Sequence, residues 1–486
     1  MKTNTVIIIP VSILFFLSHF ISAQNVGIGT ITPVEKLDVD GNVKADTLKP
    51  NALQLLPNAG TGKILTSDVT GNASWESLIL APPANPGGNV GYGVWGDCGT
   101  NGNIAAYQPM ADTAANEADT YGGTVSISGN FAIVGSNTDD ETFQNQGSVT
   151  FYQFNGSTWQ LLEKLTDPDA GANDVFGTSV SISGAYAIVG APFDSDIFSQ
   201  QGSASIYQFN GSNWQLMQKI TDPDGQTGYQ FGFSVSISGD YAIIGAPMQM
   251  MEGHFLQGSA SIYYYDGSTW TLMDKVTNPS GAAADNFGYA VAISNGYAII
   301  GAINDDESHE NQGSASIFQF NGSNWVLMNK VLDATSGFND NFGYSVSISG
   351  QYAIVGSIYD DINYSNQGSA SIYHYNGTNW VMMQKISELV GGDEDNFGTC
   401  VALCGPYALV GSARDDVGTN NSQGSASLFQ RIGSCWQQMQ LITDPAGVSP
   451  DLFGTSCALD CTTKRFLIGA RGFQNSRGKV VFGKIN

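Results

Sequence analysis

The chain has 486 residues, and its many glycines (59) and low share of charged residues (13%) favour strands and turns over helices. With 18 basic and 43 acidic residues its net charge is -25, so its surface repels phosphate backbones and anionic headgroups. We therefore expect no nucleic-acid partner and no membrane insertion, while cations, basic proteins and neutral glycans remain open.

The first residues have the pattern of a secretory signal peptide. Lys2 precedes an apolar run from Val6 to Ile21, and Ser22-Ala23 follows that run. A transmembrane anchor needs a longer apolar run, and no second stretch of that length exists in the sequence. We predict a signal peptide over residues 1–23, cleavage after Ala23, and a protein that is secreted or held at the outer cell surface.

Residues 24–80 differ from the rest of the chain. Their short alternating runs, broken by Gly, Pro and Asn-Gly turns, predict a β-rich segment. The segment resembles the stalks that precede head domains in surface and tail-fibre-like proteins of Bacteroidetes-type bacteria, which implies trimerisation through the stalk. Residues 81–93 are rich in Pro and Gly and predict a linker to a domain over residues 94–486.

An aromatic-Gly pair recurs through that domain at steps of 55 or 56 residues. The seven pairs are Tyr121-Gly122, Phe176-Gly177, Phe231-Gly232, Phe287-Gly288, Phe342-Gly343, Phe397-Gly398 and Phe453-Gly454. A fixed period of this size predicts a solenoid, a propeller or an array.

Each full repeat predicts four strands, as the second one illustrates. Val180 and Ile182 alternate with serines in strand one, Gly177–Ser183, while strand two, Tyr186–Gly190, is apolar on both faces. Strand three, Ser203–Phe209, joins strand four, Trp214–Ile220, through an Asn-Gly hairpin turn.

The two ends of the domain predict a closed ring. The last repeat ends after its third strand, Lys479–Ile485, while a surplus strand, Ile104–Met110, precedes the first repeat. An open stack needs caps at both ends, whereas pairing these two strands completes a seventh blade. We predict an all-β fold: a seven-bladed β-propeller of four-stranded blades, closed by an N-terminal strand.

Two of the repeats carry Gly-Ala-Pro about fourteen residues after their Phe-Gly pair, at Gly190-Ala191-Pro192 and Gly245-Ala246-Pro247. This pattern resembles the FG-GAP repeats of the integrin α-subunit head, in a bacterial secreted form, and the resemblance implies a β-propeller. Integrin repeats bind calcium in an Asp-rich loop between strands one and two, but here that loop is only Ser183-Gly184-Ala185. Six to eight oxygen ligands do not fit there, so we expect no cofactor, and calcium only at a site of another kind.

Acidic residues collect in the loops between strands two and three. The candidate ligand-binding residues are Asp139, Asp140, Asp194, Asp196, Asp305, Asp306, Asp360, Asp361, Asp415 and Asp416. Strand alternation places these loops and the blade-to-blade loops on one rim, which predicts an acidic face for a cation or a basic ligand. The alternative is turn chemistry, since Asp favours such loops by bonding its own backbone.

The third repeat has apolar residues where the others have an acidic pair. Met248, Met250, Met251 and Phe255 stand on a predicted surface loop, which favours a partner site. A loop folded onto its own rim is the alternative.

Six cysteines fit an oxidising compartment. Cys400 and Cys404 are too far apart along one strand to pair with each other, and so are Cys457 and Cys461. Neighbouring strands allow Cys400–Cys457 and Cys404–Cys461, which leaves Cys98 and Cys435 for each other. Unbridged buried thiols are the alternative.

Catalytic motifs are scarce in this sequence. The histidines His254, His309 and His374 lack metal-ligand spacing, and no nucleophile elbow or phosphate loop occurs. We therefore expect a non-catalytic, exported binding or adhesion module that recognises a protein or glycan through its acidic face. The alternatives are a polysaccharide hydrolase or lyase with a carboxylate pair at the propeller mouth, and a structural surface-layer component.

Overall fold

The computed structural model describes residues 26–28, 37–39, 63–67, 73–77, 104–112, 117–251, 253–333, 335, 337–389 and 391–486. The predicted signal peptide, the linker over residues 81–93, and Cys98 lie outside the described residues, as does most of the segment 24–80. Among the described residues, no helix has the length and apolar character needed to cross a bilayer.

The chain divides into two compact units, Met1–Val90 and Gly91–Asn486. In the first unit, β1 (Val26–Ile28) pairs in parallel with β2 (Leu37–Val39). There, β3 (Lys63–Ser67) also pairs with β4 (Ala73–Ser77), in antiparallel fashion.

The described part of the second unit consists of seven four-stranded antiparallel sheets, the blades of a propeller. Blade 1 contains β6 (Thr124–Ser128), β7 (Phe131–Ser136), β8 (Ser148–Phe154) and β9 (Trp159–Leu165). Blade 2 contains β10 (Ser179–Ser183), β11 (Tyr186–Ala191), β12 (Ser203–Phe209) and β13 (Trp214–Thr221). Blade 3 contains β14 (Ser234–Ser238), β15 (Tyr241–Ala246), β16 (Ser259–Tyr265) and β17 (Trp270–Val276). Blade 4 contains β18 (Phe287–Ser294), β19 (Tyr297–Ala302), β20 (Ser314–Phe320) and β21 (Trp325–Val331). Blade 5 contains β22 (Phe342–Ser349), β23 (Tyr352–Ser357), β24 (Ser369–Tyr375) and β25 (Trp380–Ile386). Blade 6 contains β26 (Phe397–Cys404), β27 (Tyr407–Ser412), β28 (Ser425–Ile432) and β29 (Cys435–Thr443). Blade 7 contains β30 (Phe453–Asp460), β31 (Arg465–Ala470), β32 (Lys479–Ile485) and the N-terminal strand β5 (Ile104–Met110). A helical turn at Phe473–Ser476 lies between β31 and β32.

The first strands of the blades form the inner ring, because each one contacts the first strands on both sides. The serines predicted on the small face of strand one hold this ring together. Ser126 Oγ accepts a hydrogen bond from the backbone N of Ile182 at 3.1 Å, and Ser181 Oγ accepts one from Ile237 N at 3.1 Å. Because Ser alternates with Val or Ile, the serines bond the neighbouring first strand while the Val and Ile side chains pack in the blade core.

The aromatic ring of each Phe-Gly pair is a wedge between two blades. Phe176 is fully buried and packs against Ile133 and Val149 of blade 1 as well as Val180 of blade 2. The glycine that follows allows the backbone to approach, since a Cβ on Gly177 would lie 2.5 Å from the carbonyl oxygen of Ser148. The repeated Phe and Gly therefore set the contact between successive blades.

The ring closes as predicted, through the two ends of the domain. Strand β5 pairs antiparallel with β32, with Tyr107 opposite Gly483 and Pro109 opposite Val481. The Gln108 side chain then binds the backbone of Trp159 in blade 1, accepting from its N at 2.9 Å and donating to its O at 2.8 Å. The N-terminal strand thus completes blade 7 and links it to blade 1.

Two disulfides join the innermost strands of blades 6 and 7. They are Cys400–Cys457 and Cys404–Cys461, the two pairings that neighbouring strands allow. Cys435 is exposed and forms no disulfide within the described part of the chain. Its pairing with Cys98 stays a prediction, because Cys98 is not described.

Replacing a wedge tests this packing. We expect Phe342→Ala to lower the free energy of unfolding by about 3–5 kcal/mol, because the ring is fully buried and leaves a cavity. Urea unfolding followed by tryptophan fluorescence measures the change. Phe338→Ala is the matched control, since Phe338 is 66% exposed and should change stability by only about 0.5 kcal/mol. Equal losses in the two variants would contradict the wedge.

Candidate functional site

The loops between strands two and three share one end of the propeller with the blade-to-blade loops, as predicted. In the first such pair of loops, Asn173 N donates to Gln144 O at 2.8 Å, and Asn145 Nδ2 donates to Asn173 Oδ1 at 2.9 Å. We call this end of the propeller the rim, and the boundary between two successive blades a junction.

The first acid of each loop between strands two and three lies beneath the rim. These acids, Asp139, Asp194, Asp305, Asp360 and Asp415, are all at least 92% buried. In the first four of these loops the buried carboxylate accepts a hydrogen bond from the first serine of strand three, for example from Ser203 Oγ to Asp194 Oδ2 at 2.5 Å. Half of the predicted ligand-binding acids are therefore internal to the fold.

A lysine from strand four neutralises these acids at most junctions. At junction 1/2 the ammonium of Lys219 lies 2.7 Å from Asp194 Oδ2 and 3.5 Å from Asp167 Oδ2, so it bridges the new blade and the end of the previous one. The same position, five residues after the strand-four Trp, holds Lys164, Lys275, Lys330 and Lys385. At each of these positions the ammonium contacts at least one buried acid.

The lysine charge is strongly held in these clusters. Burial alone lowers the pKa of Lys219, but hydrogen bonds to Asp169 and Asp194 outweigh burial and raise that pKa above its usual range. At Lys164, burial again lowers the pKa, but hydrogen bonds to Asp139 and Glu141 outweigh burial and raise the pKa above its usual range. Both ammonium groups therefore remain charged at neutral pH and offset the buried carboxylates.

The second acid of each loop is exposed and has a structural partner of its own. Asp140 Oδ1 accepts from Asn145 N at 2.5 Å, Asp306 Oδ1 accepts from Asn311 N at 2.6 Å, and Asp361 and Asp416 make the corresponding bonds. Asp196 instead pairs with Lys219 at 3.1 Å. Turn chemistry therefore accounts for four of these residues, and their binding of a ligand remains a prediction.

The loop of blade 3 is apolar only in part. Met250 and Phe255 are exposed, whereas Met248 and Met251 are half-buried. The position of the buried acid is taken by Gln249, whose Nε2 donates to Asp222 Oδ2 at 2.9 Å. A neutral amide thus replaces a carboxylate inside the junction. The sequence-based prediction for this loop rested on its Met and Phe residues and included no role for Gln249.

Junction 5/6 has a different composition. Its acids are Glu388, at the end of blade 5, with Asp395 and Asp415, and an oxygen of each lies within 4.8 Å of the others. The position of the lysine is held by Leu441, five residues after Trp436. Among the described residues, no lysine or arginine forms an ion pair with these three carboxylates.

The carboxylates of this cluster hold protons more tightly than usual, chiefly because they are buried. Burial, followed by the charges of Asp415 and Asp395, raises the pKa of Glu388 to about 8. Burial also raises the pKa of Asp415 to about 6, against a hydrogen bond from Ser425. Burial raises the pKa of Asp395 as well, although it accepts a hydrogen bond from Gly392 N.

Aromatic side chains line part of the inner edge of the rim. Phe233, Tyr289 and Tyr344 each follow the Phe-Gly pair of three successive blades, and their rings stand in series with centroids 5.0 and 5.3 Å apart. Sequence reasoning missed this arc, although the aromatic identity of the residue after the Phe-Gly pair in three consecutive repeats was a readable signal.

Comparison with known proteins identifies the repeats. The family model described as "FG-GAP repeat" matches residues 111–152, 159–207, 214–263, 270–318, 325–373 and 380–429, more than half of the chain. The chain belongs to the FG-GAP repeat family. The resemblance drawn from the Phe-Gly and Gly-Ala-Pro positions is thereby confirmed, and the fold is an FG-GAP β-propeller.

Other comparisons add little on function. No curated protein matches the chain. The chain is similar to a solved structure titled as a functionally unknown protein from Desulfotomaculum acetoxidans DSM 771, with 13% identity and a TM-score of 0.44. That match covers 74% of this chain and 94% of the other.

Removal of a junction lysine tests the neutralisation. Lys385→Met should lower the free energy of unfolding by about 3 kcal/mol or more, because it leaves Asp333 and Asp360 buried without their shared cation. The control Lys484→Met removes an exposed lysine and should cost less than about 0.5 kcal/mol. Chemical denaturation at neutral pH measures both, and a loss at Lys385 no larger than that of the control would show the cluster to be unimportant.

Proposed function

We propose that this FG-GAP propeller is an exported, non-catalytic binding module whose rim recognises a protein surface that is basic and partly apolar. One observation carries the proposal: the rim displays exposed apolar side chains beside exposed carboxylates. The apolar residues are Phe143, Ile197, Phe198, Met250, Phe255, Phe338, Tyr359, Tyr364, Leu389 and Val448.

These side chains come from the loops of six successive blades, and Leu389 is 73% exposed and Ile197 68% exposed. Large exposed apolar groups in contiguous patches are uncommon on surfaces without a partner. Aromatic residues and Met make up seven of these ten side chains, and both are enriched at the cores of protein interfaces. The net charge of the chain, -25, favours a basic partner and a fast, salt-sensitive encounter.

Two features support export. The first 23 residues have the sequence pattern of a signal peptide, and the disulfides Cys400–Cys457 and Cys404–Cys461 suit an oxidising compartment. Trimerisation through residues 24–80 would present several rims together and raise avidity without new contacts.

The acidic clusters are less suited to the alternative, in which a carboxylate pair attacks a polysaccharide. The most closely grouped carboxylates, at junction 5/6, lie under the rim, with Glu388 5% exposed and Asp415 8% exposed. A sugar ring needs both carboxyl groups within reach of its glycosidic bond. The exposed acids instead accept loop amides, as Asp306 does.

A rim variant tests this proposal. The full chain carrying Ile197→Ser, Phe255→Ser and Asp306→Asn should bind at least about tenfold more weakly to its targets in a panel of purified basic proteins and a glycan array. The expected pattern is binding to basic proteins that weakens as salt rises. Asn at position 306 retains the oxygen that accepts the loop amide, so the change removes charge and apolar area without removing that bond.

The control variant carries Asp240→Asn and Asp266→Asn at the opposite end of the propeller. Asp266 caps its turn by accepting from Ser268 N and Thr269 N, and the equivalent turns of other blades use asparagine, as at Asn210. This variant should bind as the unaltered protein does. Binding only to glycans, equal losses in the two variants, or turnover of a polysaccharide would each contradict the proposal.

A further inference from the structure

Within the described part of the chain, junction 5/6 lacks the lysine that each of its six counterparts has. At the other junctions a lysine ammonium contacts the acid that ends one blade, the loop acid of the next blade, or both. At junction 6/7 that lysine comes from a different strand, since Lys479 of β32 pairs with Asp444. At junction 5/6 the acids are retained, but Leu441 stands in the position of the lysine.

The repeats therefore serve as an internal comparison for this cluster. Asp194 and Asp360 bind an ammonium ion at the position where Asp415 stands in blade 6. The acid that ends the blade is equally retained, as Asp333 at junction 4/5 and as the longer Glu388 here. Cation ligation by these positions is thus seen at junctions 1/2 and 4/5 of the same molecule.

The serine that donates to the loop acid alone at other junctions is shared at junction 5/6. The first serine of strand three donates to the loop acid in blades 1, 2, 4 and 5, for example from Ser369 Oγ to Asp360 Oδ2 at 2.5 Å. In blade 6, Ser425 Oγ donates to Glu388 Oε1 at 3.3 Å, and Ser412 Oγ donates to Glu388 Oε2 at 3.2 Å.

Ser425 is thus shared between Glu388 and Asp415, two buried carboxylates, and Asp415 is 92% buried. The adjacent cation, Arg414, extends to the exposed Glu394 at 4.0 Å instead. Buried carboxylates without a neutralising cation are costly, and a bound cation removes that cost.

We propose that junction 5/6 binds a calcium ion through Glu388, Asp395 and Asp415. Calcium prefers oxygen ligands at about 2.3–2.6 Å, so two ligands on opposite sides of the ion are about 4.6–5.2 Å apart. An oxygen of each of the three carboxylates lies within 4.8 Å of the others, so one calcium ion can contact all three. Magnesium gives up its water ligands reluctantly and is usually held by only one or two carboxylates, so calcium is the better match. The hydroxyls of Ser412 and Ser425, already within reach of Glu388, are two further oxygens at the site.

This site is separate from the short loops between strands one and two, and it connects consecutive blades. The ion would take the place of the missing lysine as the cation of this junction, and carboxylates bind it in their ionised form. Its affinity belongs with extracellular modules, at about 10⁻⁴–10⁻³ M, because the site offers three carboxylates and few other ligands. The inference does not depend on the proposed function of the rim.

Calcium titration of the full chain tests the site. In isothermal titration at physiological salt we expect one stoichiometric calcium site, weaker binding of magnesium, and a melting temperature raised by roughly 2–4 °C at 10 mM calcium relative to EGTA. Leu441→Lys places the lysine of the other junctions in the cluster. That variant should lose the calcium response and should melt above the unaltered protein in EGTA.

Two other variants complete the experiment. Asp415→Asn should abolish the calcium response without adding a charge, which keeps the test decisive if Leu441→Lys folds poorly. Leu216→Lys is the matched control, because it adds a lysine to an exposed position on the outer strand of blade 2 and should keep the response. No heat and no melting shift in the unaltered protein, or a response that survives Leu441→Lys or Asp415→Asn, would overturn the proposal.

Discussion

The close approach of two glycines at every junction is the constraint on which this propeller depends. The glycine of strand two lies against the carbonyl oxygen of the next Phe-Gly glycine, so that a Cβ on Gly190 would be 1.9 Å from Gly232 O. The same contact occurs at all seven junctions and ends with Gly469 against Gly122, which closes the ring. Any side chain there would force the blades apart, and the Phe wedge, the serine bonds and both disulfides require the blades at this spacing.

Blade spacing also explains the buried acids. With the blades this close, the residue that ends strand four of one blade comes within reach of the loop acid and the lysine of the next. Lys219 contacts Asp167 and Asp194 because those residues come from both sides of a junction. The clusters are therefore part of the packing between blades. The presence of Leu441 where other blades have a lysine changes the chemistry of a junction without changing its backbone.

The fold could be predicted from the sequence because its signals are local and periodic. The Phe-Gly pairs, the Asn-Gly hairpins and the surplus strand Ile104–Met110 each specify a piece of backbone, and their regular spacing specifies the ring. The Cys400–Cys457 and Cys404–Cys461 bridges followed from the same geometry, since equivalent strands of adjacent blades must be neighbours.

The candidate site was less predictable, because its character depends on side-chain partners distant in the sequence. Asp139 and Asp140 are adjacent and chemically alike, yet one is buried beside Lys164 and the other is exposed. Hydropathy cannot separate them. The lysine five residues after each strand-four Trp, and its replacement by Leu441, were visible in the sequence, but their meaning required the register of two blades.

Calorimetric unfolding of Gly245→Ala tests the spacing constraint most directly. The new Cβ would lie 2.1 Å from Gly288 O, so we expect the single cooperative transition of a closed ring to move down by roughly 10 °C or to split. Gly337→Ala, whose Cβ would meet nothing nearer than 3.6 Å, should unfold as the unaltered protein does. Unchanged unfolding of Gly245→Ala would contradict the claim that glycine contacts set the ring.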